Sequence, residues 1–165
     1  MHIKLRLATP DDVRDLVALR TAVSARLAQQ FGEGYWAPKV TEKGMLYAMR
    51  IASVYVATFR SKLIATLTLS TRKPWAIDKK YFTPVRRPLY LTAMAVSPDH
   101  QRSRLGSACL EESCRIARAW PADAIRLDAY DVAAGAGEFY RKCGFRHVGG
   151  ATYRGTALLY FEKLL

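Results

Sequence analysis

Acidic residues and cysteines are scarce in this sequence, and long apolar runs are missing. Its 165 residues include 26 lysines and arginines but only 14 acidic residues, which gives a net charge of +12 at neutral pH. No stretch approaches the roughly 18 uncharged residues of a membrane-spanning helix, and the N-terminus alternates charged with apolar residues. We therefore predict a cytoplasmic protein with neither a signal peptide nor a membrane partner.

The cysteines exclude two further classes of protein. Cys109, Cys114 and Cys143 are odd in number, and their spacing is not that of metal ligands. We expect reduced thiols rather than a disulfide framework, and we predict no metal site.

The positive charge suits three kinds of partner: nucleic acid, an anionic membrane, or a phosphorylated cofactor or substrate. The basic residues are spread along the chain without a run of five or more. A nucleic-acid-binding module favours a clustered stripe or a known reader motif, so this spread argues against nucleic acid as the partner.

The chain has no repeat and no low-complexity linker, which predicts one domain over residues 1–165. Thr9 is expected to cap the first helix, and Gly144 to end the last one. Periodicity and turn residues predict helices over 10–29, 41–51, 104–120 and 134–142, and strands over 2–8, 53–59, 63–71, 89–96, 125–130, 146–153 and 157–164. This order predicts an α/β fold with a mixed sheet and helices on both faces.

Residues 91–110 read as a strand, a short polar loop and a helix N-terminus. A helix N-terminus offers unpaired N–H groups and a positive dipole end to an anion. Arg102 and Arg104 add two cations, and Gly106 allows close approach of a ligand to the backbone. These features suit a diphosphate-binding loop, although an ordinary turn with solvated arginines has the same composition.

The same segment resembles the acyl-CoA signature of the GNAT superfamily, in which a strand ending in Val-x-Pro precedes Gln-x-x-Gly-x-Gly. The matching residues are Val96, Pro98, Gln101, Leu105 and Gly106. Arg104 stands where the first glycine usually lies.

A second segment, residues 136–145, is similar to the family's Ala-x-x-Phe-Tyr-x-x-x-Gly-Phe. Ala136, Phe139, Tyr140, Gly144 and Phe145 are in register, while Ala133 replaces a frequent asparagine. The resemblance extends over essentially the whole chain and implies the GNAT fold, with two splayed parallel strands at 89–96 and 125–130.

The resemblance implies that acetyl-CoA is the cofactor. Met94, Ala95 and Val96 would then face the pantetheine and the acetyl group, and an N–H near Met94 would polarise the thioester carbonyl. The pyrophosphate would bind residues 101–107, namely Gln101, Arg102, Ser103, Arg104, Leu105, Gly106 and Ser107.

Tyr140 matches the tyrosine that serves many relatives as general acid. A phenol stays protonated at neutral pH and can donate to a thiolate, but the ring could also merely pack against the pantetheine. Many relatives carry a glutamate base on the strand 89–96, where this chain has no acid. Water relaying to Glu33, Glu42 or Asp78 is an alternative, whereas His100 and His147 are poorly placed for the role.

The implied acceptor is a primary amine of a small molecule or peptide. Relatives build this site from two loops that here carry the aromatic residues Tyr35, Trp36, Trp75, Tyr81 and Phe82. The neighbouring cations suit an acidic acceptor; they are Lys79, Lys80, Arg86 and Arg87. A non-catalytic acyl-CoA sensor and a homodimer stay open.

Overall fold

The structure is a computed structural model that describes residues 3–34 and 39–165. Its helices are α1 (Val13–Phe31), α2 (Glu42–Ile51), α3 (Leu105–Ala119) and α4 (Gly137–Lys142). Its strands are β1 (Arg6–Leu7), β2 (Ser53–Phe59), β3 (Lys62–Ser70), β4 (Pro88–Val96), β5 (Ala124–Tyr130), β6 (Arg146–Tyr153) and β7 (Thr156–Leu164). The strand order β1-β2-β3-β4-β5-β7-β6 confirms the mixed α/β fold.

The chain divides into two compact units, of which the first comprises the described residues of Met1–Leu69 and of Ala93–Ser113. Its strands β1, β2 and β3 pair antiparallel in succession. Arg60 and Ser61 close the β2–β3 hairpin with φ angles of 47° and 63°, and the two strands lie close to the predicted ranges 53–59 and 63–71. The end of β4 belongs to this unit, where the Ser97 N–H donates to the carbonyl of Ile64 at 2.8 Å.

Of the two helix starts predicted in the first unit, that of the second helix is confirmed, whereas α1 begins at Val13 rather than at residue 10 and the Thr9 side chain makes no capping hydrogen bond. The Thr9 N–H donates to the carboxylate of Asp12 at 2.8 Å, and a 3₁₀ turn over Pro10–Asp12 leads into α1. The Thr41 hydroxyl accepts the N–H of Gly44 at 3.1 Å at the start of α2. The two helices then pack on the hairpin through one buried apolar cluster, which contains Val13, Leu16, Met45, Val54 and Val56.

The second unit comprises Ser70–Thr92 and Cys114–Leu165. β4 and β5 run parallel in it, and β5, β7 and β6 pair antiparallel. The parallel ladder has only three residue pairs and ends at Tyr90 and Arg126, although both strands continue. Pairing that stops early leaves backbone groups of these strands available to a ligand.

The C-terminal stop of α4 follows the prediction. Gly144 has a φ of 81°, and its N–H donates to the carbonyl of Arg141 while that of Phe145 donates to Tyr140, each at 3.0 Å. These two hydrogen bonds satisfy the last carbonyls of the helix. Glycine is favoured at the left-handed position of such a helix end.

A buried ion pair anchors the segment 72–88, which connects β3 to β4 and contains a 3₁₀ turn over Lys79–Tyr81. Arg126 and Glu162 meet at 3.2 Å, and both are almost fully buried. Glu162 also accepts the N–H of Thr83 at 3.3 Å, and Arg126 donates to the Thr83 carbonyl at 2.5 Å. The pair therefore fixes this segment to the strands of the second unit.

Several boundaries differ from the prediction. Residue 2 of the predicted strand 2–8 lies outside the described residues; of residues 3–8, only Arg6–Leu7 forms a strand, and Leu7 is exposed. The last helix begins at Gly137 rather than at residue 134, because Gly135 lies in a turn closed by its N–H and the Val132 carbonyl. Within residues 3–34 and 39–165, no helix is long and apolar enough to cross a membrane.

Candidate active site

The polar loop between β4 and α3 has an unusual backbone. Arg102 and Arg104 adopt left-handed φ angles of 60° and 65°, which non-glycine residues rarely take. The Gln101 side chain donates to the Val96 carbonyl at 3.2 Å, and the Ser103 hydroxyl donates to the His100 carbonyl. These two bonds hold the loop in its strained form.

Arg104 thus takes the conformation for which glycine is favoured, at the position where the family usually has glycine. The replacement adds a guanidinium group to a turn in the left-handed conformation. Arg102 and Arg104 are exposed, and neither has an ion-pair partner among the described residues. Both side chains are therefore available to an anion.

The first turn of α3 supplies backbone donors beside these cations. The Arg104 carbonyl accepts the first helical bond, from the Ala108 N–H at 3.1 Å, which leaves the N–H groups of Leu105 and Gly106 without a partner inside the helix. The Leu105 side chain is buried and anchors the turn in the core. N–H groups, a helix dipole and two guanidinium groups fit a diphosphate in charge and in hydrogen bonding.

The end of β4 has a break in its strand geometry just before the residues predicted to meet the acetyl group. Ala93 has a φ of 52° in an otherwise extended strand. Ala95 is buried, whereas Met94 and Val96 are partly exposed. The structure therefore turns the Ala95 side chain into the core, so this residue can meet a ligand only through its backbone.

Tyr140 lies in α4 and is only 8% exposed as a residue. Its ring packs against Phe139, Phe145 and Phe161, with centroids 5.3–5.9 Å apart. Burial, with a smaller contribution from the charge of Asp128, raises the pKa of Tyr140 well above that of a free phenol. The hydroxyl has no hydrogen-bond partner within the described ranges, so its proton is uncommitted.

Asp128 is a residue that the sequence reasoning missed. It lies in the middle of β5, opposite Tyr160 in the ladder with β7. Burial raises its pKa. Burial also raises the pKa of Tyr130, Tyr140 and Tyr160, and the charge of Asp128 adds a smaller contribution to each. A carboxylate with a raised pKa is a stronger base than one in water. The signal for it was a single acid in the otherwise apolar run Leu127–Tyr130.

The acids named from the sequence are less suited to proton transfer. Glu33 is exposed, and Glu42 is exposed with Arg14 at 3.8 Å. Asp78 accepts the N–H of Lys80 and pairs with its ammonium, which lowers the pKa of Asp78. Of the two histidines predicted to be poorly placed, His147 packs against Phe161 at 5.5 Å between centroids.

The aromatic loop residues have different surroundings. Tyr35 and Trp36 lie outside the described residues. Phe82 is buried against Tyr160, and the Tyr81 ring occupies the space beside Gly149 where a Cβ would stand. Trp75 is 88% exposed and is the aromatic of this segment most open to a ligand.

The four neighbouring cations are all exposed, but two of them have acidic partners. Lys80 pairs with Asp78 at 3.1 Å and Arg87 with Asp123 at 3.2 Å, whereas Lys79 and Arg86 have no ion pair among the described residues. Within the described ranges 3–34 and 39–165, no group of three or more histidine, cysteine, aspartate or glutamate side chains could hold a metal ion.

Comparison with known proteins relates this geometry to one family. The model of the acetyltransferase (GNAT) family matches residues 25–145. The crystal structure of the PaiA N-acetyltransferase from Thermoplasma acidophilum, in complex with coenzyme A, superposes with a TM-score of 0.75 at 16% identity, over all of both chains.

Two further crystal structures are similar. A GNAT-family acetyltransferase from Listeria monocytogenes gives a TM-score of 0.75 at 17% identity, covering 99% of this chain and 95% of that one. The ribosomal-protein-alanine N-acetyltransferase from Brucella melitensis gives 0.73 at 17% identity, covering 98% and 99%. A search of the curated proteins found no match.

Proposed function

Because this chain belongs to the acetyltransferase (GNAT) family and is therefore an acyltransferase, we propose that it moves an acetyl group from acetyl-CoA to a primary amine of a small molecule or peptide. The amine attacks directly in a ternary complex, within one catalytic domain over residues 1–165. The PaiA enzyme with coenzyme A supports the choice of cofactor by analogy of fold.

The loop 101–107 carries this proposal. Two left-handed arginines with free guanidinium groups precede the first turn of a helix with unsatisfied N–H groups. That donor set suits the diphosphate of a coenzyme better than a neutral ligand, because each of its groups favours negative charge. The net charge of +12 favours the same polyanionic cofactor and an acidic acceptor over a polyamine.

Acetyl-CoA supplies the thioester, and the protein supplies two proton transfers. The attacking amine must lose a proton as its nitrogen bonds to the acetyl carbon, and we assign the acceptance of that proton to the Asp128 carboxylate. The carbon–sulfur bond breaks, and the Tyr140 hydroxyl donates to the departing sulfur. Burial keeps Tyr140 protonated at neutral pH and makes Asp128 a better base than a solvated aspartate.

Free-CoA release across a panel of amines tests the function. The panel includes neutral alkylamines, amino acids, acidic and basic peptides with free N-termini, and a polyamine, each with acetyl-CoA in excess. We expect at least one acceptor to accelerate thiol release, with acidic peptides favoured over the polyamine. Saturable binding of acetyl-CoA with no acceptor-dependent release would instead describe a sensor domain.

A further inference from the structure

The last strand of the second unit supports α4 with one of its two faces. Side chains alternate along a strand, so every second residue of β7 lies on the face that carries this helix. A Cβ at Gly137, the first residue of α4, would lie 3.4 Å from both Leu159 Cδ1 and Phe161 Cζ. The Tyr140 ring lies 5.9 Å from the Phe161 ring between centroids. The start and the middle of α4 therefore rest on Leu159 and Phe161.

Lys163 is the next residue on that face, and it contacts the segment at the end of the helix. Its ammonium donates to the Cys143 carbonyl at 2.9 Å, directly after α4 ends at Lys142. The last carbonyls of a helix lack partners inside it and form the negative end of its dipole, so a lysine is favoured there. The same ammonium lies 5.6 Å from the centroid of the Phe145 ring, within the range of a cation–π contact.

Both groups that Lys163 contacts belong to the surroundings of Tyr140. The Phe145 ring meets the Tyr140 ring edge to face at 5.8 Å between centroids, and the Phe145 N–H donates to the Tyr140 carbonyl at 3.0 Å. The Cys143 N–H donates to the same carbonyl at 3.1 Å. Because the Tyr140 hydroxyl has no hydrogen-bond partner within the described ranges, these backbone and ring contacts determine its direction.

We propose that Lys163 is a positioning residue for Tyr140. By binding the Cys143 carbonyl and the Phe145 ring, its ammonium fixes the end of α4 and, through the helix, the direction in which the Tyr140 hydroxyl donates. Lys163 touches none of the reacting atoms and transfers no proton. The inference rests on the proposed function, in which Tyr140 donates to the departing sulfur.

Three lysine variants of the full chain test the contact itself. Lys163→Met removes the ammonium and keeps a side chain of similar length, whereas Lys163→Arg keeps a cation with N–H donors. Lys142→Met is the matched control, because Lys142 is exposed and carries the same charge one residue before Cys143.

Tyrosine labelled with ¹³C at Cζ reports on the hydroxyl group without any acceptor amine. The chain has nine tyrosines, so the Tyr140 signal is assigned by its loss in Tyr140→Phe. We expect this signal to shift in Lys163→Met, to return to the parent position in Lys163→Arg, and to stay unchanged in Lys142→Met.

Free-CoA release with an amine that the parent acetylates separates positioning from packing. A misplaced catalytic group lowers the rate more than cofactor affinity, so Lys163→Met should lower kcat by about tenfold. The KM for acetyl-CoA should stay within about twofold of the parent value, and Lys163→Arg should restore kcat. In the Tyr140→Phe background, Lys163→Met should change kcat by less than about twofold, because the hydroxyl that it positions is already absent.

An unmoved Tyr140 signal in Lys163→Met, or equal effects of the Lys163→Met and Lys142→Met substitutions, would overturn the proposal. An equal fall in kcat with and without the Tyr140 hydroxyl would do the same, because it would show a general loss of structure. A large loss of kcat in Tyr140→Phe with full kcat in Lys163→Met would refute this inference alone. Full kcat in Tyr140→Phe would instead refute the acid role in the proposed function.

Discussion

Replacing Tyr140 with phenylalanine removes one hydroxyl and leaves the ring among its three phenylalanine neighbours. That hydroxyl has no hydrogen-bond partner within the described ranges, so its loss breaks no bond that holds the fold. We expect the free energy of unfolding to change by less than about 0.5 kcal/mol. Tyr140→Ala removes the buried ring itself and should cost about 3–5 kcal/mol.

Tyr140→Phe should lower activity strongly although it leaves stability nearly unchanged. If Tyr140 donates to the departing sulfur, Tyr140→Phe lowers kcat by about 10²–10⁴, while the KM for acetyl-CoA changes little because the ring remains. The raised pKa of Tyr140 adds a second expectation, since its ionisation lies above that of a free phenol. No fall in kcat from this group should therefore occur below about pH 10.

Two measurements on the same preparation separate these roles. Urea unfolding gives stability, and free-CoA release with an amine that the parent acetylates gives kcat. Unchanged stability with a large loss of kcat supports the acid role. A Tyr140→Phe variant with full kcat would refute it and leave Tyr140 as a packing residue.

Four further predictions address other residues. Asp128→Asn should lower kcat without lowering the Tm at pH 7. Burial raises the folded-state pKa of Asp128, so the ionised carboxylate destabilises the fold once the pH rises above that pKa, and its removal costs no stability. A lower Tm would show a structural role instead. Hydrogen bonding to Arg6 lowers the pKa of Asp12 to about 2, so its contribution is present above its usual pKa and lost as pH falls towards 2. In urea unfolding, Asp12→Asn should therefore be less stable than the parent at pH 7 and equal to it near pH 2, and a gap independent of pH would contradict this linkage. Arg104→Gly should bind acetyl-CoA more weakly than the parent at low salt and similarly at high salt; equal calorimetric affinities at both would remove the arginine from the phosphate site. Glu162→Gln leaves Arg126 buried without its carboxylate and should lower the free energy of unfolding in urea by about 3 kcal/mol. Glu138→Gln, in the exposed pair with Arg141, should lower it by about 0.5 kcal/mol or less. Similar costs would mean that burial of the first pair adds nothing to stability.

Local signals in the sequence were sufficient for most of the fold. Thr41 and Gly144 act within one helical turn, so their residue types alone predict a start and a stop. Gly135 was wrongly assigned to a helix, because the requirement for glycine at this position comes from the folding of the turn and not from a helix signal. A Cβ there would lie 1.9 Å from the carbonyl oxygen of Tyr130. The short first strand has a similar explanation, since an alternating pattern does not specify how far a partner strand pairs.

The candidate site was predicted unevenly. The polar loop was visible because Gln101 and Gly106 carry the family's spacing, but the left-handed form of Arg104 could be known only from the structure. Asp128 was overlooked because one acid in a strand has no motif, and its raised pKa depends on burial produced by tertiary packing. The buried pair of Arg126 and Glu162 likewise unites residues 36 positions apart.

Calorimetric titration of the full chain with acetyl-CoA tests the central claim most directly. The account predicts saturable binding of one acetyl-CoA per chain, weakened by Gly106→Val, whose side chain would obstruct approach to the N–H groups of the first turn of α3. The bound chain should also melt at a higher temperature, because acetyl-CoA binds only the folded state. An absence of both binding heat and a shift in melting temperature at about 1 mM acetyl-CoA would contradict the account. That concentration lies far above the dissociation constant expected of an enzyme for its co-substrate.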